Sequence, residues 1–370
     1  MVSNPLRSDG VGWALQSAYR AVEDAGGGLK TAADVLKVAA QEQTYWSEYP
    51  LPLRARGEAW RHGFTSRDYV LLNLEENDPN EYLSYLDQAR SVAPALNEAY
   101  MDVLRNKLAF YRATRPYVDC VPETFGTVRN GQFDAVGPGD GPERFPPVVE
   151  REGAVVVKPI AGTMGRDVYK VRHDGDAFTV NGDRHSTAEL RAWVRELDGY
   201  FVSSFVEQHP FEDRICAGAT NTVRILTAKD PATGELFVAS AVHRFGNAST
   251  GPTDNWSGGG FAAPVDVETG ELDPLVTYSA ARGRREIDHH PDSGARVADT
   301  YVPEWDRIKR TVLEVARVHE EIPYVGWDVV LSADGPMVLE GNTAPHLALQ
   351  QLGEGLLTDE RVRRLFDQRG

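Results

Sequence analysis

The chain has 370 residues, 41% of them hydrophobic, and a formal net charge of −16. That length allows two or three packed subdomains, and the acidic balance excludes nucleic acid as a natural partner, because phosphate backbones are held by clustered Lys and Arg. No stretch approaches the roughly 18 apolar residues of a membrane span, and the opening MVSNPLRSDG lacks a secretory apolar core, so a cytoplasmic protein with no membrane span is expected.

The two cysteines, Cys120 and Cys216, match neither metal spacing nor a disulfide framework and are expected to be small buried hydrophobes in a reducing compartment. Lysine is scarce beside plentiful acids, a balance suited to high salt. Each lysine inside an apolar run therefore stands out.

Residues 1–105 read as mainly helical. Candidate helices cover 31–46 and 87–114, the second kinked or split by Pro94, and Lys107 is expected where that helix closes. Residues 130–148, with several Gly and Pro, read as a loop or linker. The run 154–160, AVVVKPI, is an apolar strand carrying one charge, Lys158, and it leads directly into Gly162, Thr163, Met164 and Gly165. An ammonium in such a strand needs an anion, and the glycines let backbone N–H groups approach one closely. The GK[ST] ending of a Walker loop is absent.

Segments 167–171 and 177–180 flank Asp174-Gly175 as a hairpin, and Ser186 with Glu189 forms a capping box opening a helix over 190–197. A strand over 200–210 ends in polar residues, with Phe205, Val206 and Glu207 near its end and His209 read as structural. Strands over 219–227 and 236–245 carry Arg224 and Arg244 in apolar company. A guanidinium fork matches phosphate or carboxylate oxygens. Arg224 is read as such a clamp rather than a structural ion pair, whereas Arg244 reads equally well either way. The loop 253–261, TDNWSGGGF, contains Asn255 and consecutive glycines able to form an anion nest. A helix over 304–320 and a last amphipathic helix over 358–368 frame the hairpin 323–346.

That hairpin holds the densest chemistry. A two-residue Asp334-Gly335 loop would pair Asp328 with Gly341 and send Asp328 and Glu340 to opposite faces. A three-residue loop with Gly335 left-handed pairs Ser332 with Pro336, places Asp328 opposite Glu340 and keeps Asn342 on the same face. The second is the expectation, since both acids interrupt apolar strands and an unpaired buried carboxylate is costly. Two carboxylates and an amide oxygen suit Mg²⁺, which leaves its other positions to water and phosphates. The plain alternative is a solvated acidic hairpin.

Asp328 followed by Glu340-Gly341-Asn342 resembles the C-terminal metal signature of the ATP-grasp superfamily. Lys158 with its glycine loop resembles that superfamily's phosphate-covering strand, and Lys107 its first nucleotide-contacting lysine. RHGFTSRDYVLL, NEYLSYL, NTVRI, HRFG, DNWSGGG and DVETGEL resemble the sugar-transfer associated branch. The resemblance covers about 107–346. It implies an α+β ATP-grasp fold, two lobes sandwiching ATP, with a mainly helical region at 1–105, a first lobe at 106–203 and a metal-bearing lobe at 204–370. Many ATP-grasp enzymes carry a small α/β domain where this chain reads as helical.

By the same resemblance, Lys107, Lys158, Gly162, Thr163, Met164 and Gly165 contact phosphates, and Phe205, Val206 and Glu207 read adenine and ribose, with Glu212 the weaker candidate acid. Asp328, Glu340 and Asn342 hold two Mg²⁺ ions, Mn²⁺ being an acceptable substitute, and Arg224, Arg244 and Asn255 serve the transferring group. The implied reaction is carboxylate–amine ligation through an acyl phosphate. A kinase acting on a hydroxyl and a non-catalytic nucleotide-binding partner of an assembly system are the alternatives, the metal triad arguing against the last. Nothing in the residues indicates the two substrates or an oligomeric state.

Overall fold

The structure, a computed structural model, describes residues 30–88, 100–135, 145–162 and 167–367. The chain opens with helices α1 (Lys30–Tyr45), α2 (Leu53–Arg61) and α3 (Ser66–Leu71). Helix α3 begins where Thr65 and Asp68 cap each other's backbone N–H groups, which satisfies two of the donors a helix start leaves free. Buried Arg56 ties these helices together by donating to the carbonyls of Trp46 at 2.9 Å and Tyr49 at 3.1 Å and by pairing with Glu42.

The expected helix over 87–114 is instead interrupted. Helices α4 (Met101–Arg105) and α5 (Lys107–Thr114) are separated by Asn106, which is extended and accepts from the N–H groups of Leu108 at 3.1 Å and Ala109 at 3.0 Å. Lys107 therefore opens a helix rather than closing one. Pro94 lies outside the described residues.

Among the described residues a seven-stranded sheet follows, in the order β2-β1-β7-β3-β4-β5-β6. Its strands are β1 (Thr124–Arg129), β2 (Gln132–Ala135), β3 (Ala154–Pro159), β4 (Tyr169–His173), β5 (Phe178–Val180), β6 (Asp183–His185) and β7 (Tyr200–Ser204). The expected loop over 130–148 is thus in part a hairpin, because Asn130-Gly131, at φ 48° and 72°, turns β1 into β2 with Arg129 opposite Gln132, the residue pair that a two-residue hairpin loop favours. Its end belongs to helix α6 (Phe145–Glu152). Helix α7 (Thr187–Arg195) starts at the expected Ser186–Glu189 capping box. Both helices pack on one face of the sheet, against Val155, Val157, Val171 and Val202. Alternation along the strands then turns Lys158, Lys170 and Arg172 to the other face.

After helix α8 (Pro210–Cys216) the chain builds a second sheet of nine strands among the described residues. Its main path is β13-β12-β10-β9-β8-β15-β16, formed by β8 (Thr222–Lys229), β9 (Leu236–Phe245), β10 (Phe261–Val265), β12 (Leu275–Ser279), β13 (Gly283–Ile287), β15 (Tyr324–Ser332) and β16 (Gly335–Asn342). The short strands β11 (Glu271–Leu272) and β14 (Thr300–Tyr301) extend it at β10. One face packs on helix α9 (Trp305–Val318) through Val223, Ile225, Trp327, Val329 and Val338. The opposite face is covered by the N-terminal region, where Tyr49, Phe64 and Leu71 meet Val242, Ala262 and Val276. Burial on both faces leaves seven of the eight β8 residues buried, Arg224 among them.

The hairpin reaches the expected pairing of Asp328 with Glu340 by a different route. Ser332 pairs with Gly335, not Pro336, so the loop is Ala333-Asp334, and a bulge past Asp328 shifts the register by one. Left regular, this register would set Leu339 opposite Asp328 and turn Glu340 under α9 beside Val338. The bulge at Leu339 rotates Glu340 and Asn342 onto the Asp328 face, a re-aiming that bulges commonly perform.

Candidate active site

Between the two sheets lies a cleft of about 1240 Å³. From the first sheet it receives Lys158, Lys170 and Arg172, and from the second Arg224, Arg244, Asp328, Glu340 and Asn342. Lys107, Gly162, Phe205, Val206, Glu207 and Asn255 line the same space. Apart from the weaker candidate Glu212, the sequence-expected site residues within the described chain therefore meet in one place. Thr163, Met164 and Gly165 lie outside the described residues.

Lys107 is positioned by its helix start. Its backbone N–H donates to the Ile160 carbonyl at 3.0 Å, and its ammonium reaches the Gly162 carbonyl at 2.9 Å and Glu340 at 3.3 Å. Lys158 stands beside it. Burial, and then the charge of Lys107, draw its pKa down to about 8, against the pull of Glu340 and Asp328. Two neighbouring ammonium groups with only partial neutralisation make a site that favours a polyanion. Lys170 adds a third cation, 3.7 Å from the centre of the Phe205 ring.

On the second sheet, Arg224 and Asp328 face each other across β8 and β15. Arg224 grips both carboxylate oxygens, its second contact being 2.8 Å long. Arg244 approaches the same carboxylate at 3.2 Å and Asp254 at 3.3 Å, and donates to the Thr222 hydroxyl. Burial alone would raise the Asp328 pKa, but the two guanidinium groups outweigh it and hold it at about 2. Asp254 is shifted the other way: burial raises its pKa despite Arg244. Arg224 and Arg244 thus form one ion network, with Arg244 as much a member as Arg224.

The residues fit a divalent cation unevenly. Among those described, no group of three or more His, Cys, Asp and Glu is gathered closely enough to hold a metal. The Asp328 oxygens are already engaged by arginine. Among the described residues the buried Nδ2 of Asn342 has no hydrogen-bond partner, so its amide can turn its oxygen toward a cation, and Glu340 beside it pairs with Lys107 at 3.3 Å. Glu340 and Asn342 suit a hard cation better than Asp328 does.

Two expectations resolve differently from the cleft. Glu212 is buried away from it and bonds His243 at 2.9 Å, which leaves Glu207 as the acid beside Phe205. His209 caps α8 by accepting from the Phe211 N–H at 3.1 Å. Several lining residues escaped the sequence reading: Tyr45, Tyr49 and Arg67 from the N-terminal helices, and Lys170, Asp254, Tyr278 and His346. The alternation of Lys170 and Arg172 with Val171 along β4 could have signalled it. Tyr45 and Tyr49 carry no local signal, since aromatics in and beside helices are ordinary core, whereas Arg67 lies within the RHGFTSRDYVLL run.

The profile of the sugar-transfer associated ATP-grasp family matches residues 89–364. No curated protein matches. Among solved structures, an L-amino acid ligase from Bacillus licheniformis is 13% identical, with 65% of this chain and 41% of that one covered and a TM-score of 0.35. A RimK domain ATP-grasp protein from Sphaerobacter thermophilus is 13% identical, with coverages of 74% and 70% and a TM-score of 0.39. A D-alanine–D-alanine ligase from Bacillus anthracis is 11% identical, with coverages of 72% and 67% and a TM-score of 0.35. The chain spans less than half the length of the first of these. The family match, spanning the cleft and both sheets, carries the assignment: this chain belongs to the sugar-transfer associated ATP-grasp family.

Proposed function

We propose that the protein is an ATP-dependent ligase that joins a small-molecule carboxylate to an amine. The observation that carries this reading is the opposition, across one cleft, of Lys107, Lys158 and Lys170 to the Arg224–Asp328–Arg244 network and the Glu340–Asn342 edge. The lysines bind the ATP phosphates, and Phe205, Val206 and Glu207 border the base and ribose. Glu340 and Asn342 would hold Mg²⁺, two ions or Mn²⁺ in their place, with Asp328 contributing as its arginines allow; bound metal supplies neutralisation of phosphate charge.

The substrate carboxylate oxygen attacks the γ-phosphorus and the bond to ADP breaks. The amine nitrogen then attacks the acyl carbon, the carbon–oxygen bond breaks, and inorganic phosphate and one proton leave. Both steps concentrate negative charge where Arg224 and Arg244 stand, and preorganised cations act most strongly there. Asn255, which lines the same cleft, orients the acceptor in this reading. The reading implies three parts, 1–105, 106–203 and 204–370, with ATP binding between the second and third, and a cytoplasmic location where ATP is plentiful. Among the described residues no helix is long and apolar enough to cross a membrane.

The test is a phosphate-release screen over carboxylates paired with amines, with mass spectrometry of products. Release that requires both partners, with an amide product, supports a ligase. A stable phosphorylated product from a hydroxyl compound alone would replace it with a kinase.

A further inference from the structure

One end of the cleft is built by the helical N-terminal region. Tyr45, Tyr49 and Arg67 line it together with Trp256 and Tyr278. Tyr49 and Tyr278 stack with centroids 4.2 Å apart and planes 15° from parallel, and Tyr45 meets Tyr49 edge-on at 6.0 Å. Trp256 stands near the Tyr49 hydroxyl and acts on it. Rings from three separate stretches of chain thus converge on one wall of a cleft.

Arg67 stands beside this wall. Its guanidinium carbon lies 4.2 Å from the centre of the Tyr45 ring and one terminal nitrogen donates to the Tyr45 hydroxyl at 2.6 Å. Its contact with Asp68 is long, at 3.5 Å, and the other Asp68 oxygen is occupied in capping Thr65. The buried Arg67 Nε has no hydrogen-bond partner among the described residues. A buried donor left unmade costs about 1–3 kcal/mol, so an acceptor from a ligand would be favoured. The charge of Arg67 acts on His346 along with those of Arg224 and Arg244, which places it toward the reacting side.

We propose that this wall is the substrate subsite for a small carboxylate carrying a ring, with Arg67 binding the carboxylate and the half-buried Tyr278 and Trp256, backed by buried Tyr49, packing on the ring face. A planar fork matches a carboxylate, and aromatic faces pack flat apolar surfaces. The inference rests on the ligase reading and names its substrate class. A sugar acid presents a C–H face and an aryl acid a π face to such a wall, each beside a carboxylate, and the experiment separates them.

Binding of glucuronate and of benzoate to the full chain is measured by saturation-transfer NMR and calorimetry, against glucose and benzamide as uncharged counterparts. A non-hydrolysable ATP analogue is titrated into the same samples. At least one carboxylate binds, about tenfold or more tighter than its uncharged counterpart, the scale of one charged hydrogen-bonded contact; glucuronate indicates a sugar acid and benzoate an aryl acid. Arg67→Gln loses at least tenfold for that carboxylate and keeps analogue affinity within about twofold. Tyr278→Leu, which leaves Arg67 in place, weakens the carboxylate about fivefold or more and decides the question should Arg67→Gln fail to fold. Failure of both carboxylates to bind, or unchanged affinity in the folded variants, overturns the subsite. Failure of the ATP analogue to bind the wild-type chain overturns the ligase reading instead.

Discussion

At the residue scale, the two basic strands of the cleft solve different problems. Arg224 uses both oxygens of Asp328, a geometry lysine cannot reproduce because it supplies a point charge without a fork. Arg224→Lys is expected to keep ATP affinity within a few-fold and to lose on the order of 10²-fold in kcat, the scale for removing one preorganised stabiliser of developing charge. Calorimetry beside steady-state rates checks it, and a loss confined to ATP affinity would make Arg224 a nucleotide-binding cation. Lys158 works against stability. Its pKa falls from 10.5 in the unfolded chain to about 8 in the fold, chiefly by burial, so the unfolded state binds more protons between those values. Stability from this group therefore rises with pH through that window and is lowest below pH 8, by up to about 3 kcal/mol. Lys158→Met should be more stable than wild type at pH 7 without nucleotide, the gap closing toward pH 10.5, while its ATP affinity drops. Denaturant unfolding at both pH values measures this; a less stable methionine variant at pH 7 refutes it.

At the element scale, short backbone devices aim the charged groups. The Leu339 bulge turns Glu340 from the α9 face to the cleft, and Asn106 starts a fresh helix so that Lys107 points at Gly162 and Glu340. Asn106→Ala leaves two N–H groups of α5 uncapped, for a loss of about 1 kcal/mol in stability. Since the cap also sets the first residue of α5, the same variant should raise KM for ATP several-fold with little change in kcat. An unaltered KM at reduced thermal stability would show that Lys107 keeps its place without the cap.

At the scale of the whole molecule, the N-terminal helices are part of the core. They cover Val242, Ala262 and Val276 on the second sheet, and Gln351 bonds both the N–H and the carbonyl of Leu83, at 2.7 Å and 3.0 Å. A chain lacking residues 1–88 would expose that apolar face, and contiguous patches of this kind drive association. It is expected to elute as aggregate in size-exclusion chromatography with little ATP binding. A monomeric, ATP-binding product would show that the two sheets stand without the helices.

Much of the strand and helix pattern was legible because it is local. Alternation along β3 places Lys158 apart from Val155 and Val157, and the Ser186–Glu189 box marks a helix start within four residues. The Asn130-Gly131 turn is equally local, but the glycines and prolines around it make the whole segment read as a loop. The resemblance of Lys158 with its glycine loop, of Asp328 and of Glu340-Gly341-Asn342 to a known signature sufficed to point to a family. Three features were decided only by the tertiary structure. A bulge leaves no residue signature, so the hairpin register waited on which face α9 would cover. The partners of Asp328 depend on β8 lying beside β15, strands about a hundred residues apart in sequence. The aromatic wall joins Tyr49 to Tyr278 only because the helices and the sheet bury apolar faces against each other, a condition satisfied by the folded chain as a whole.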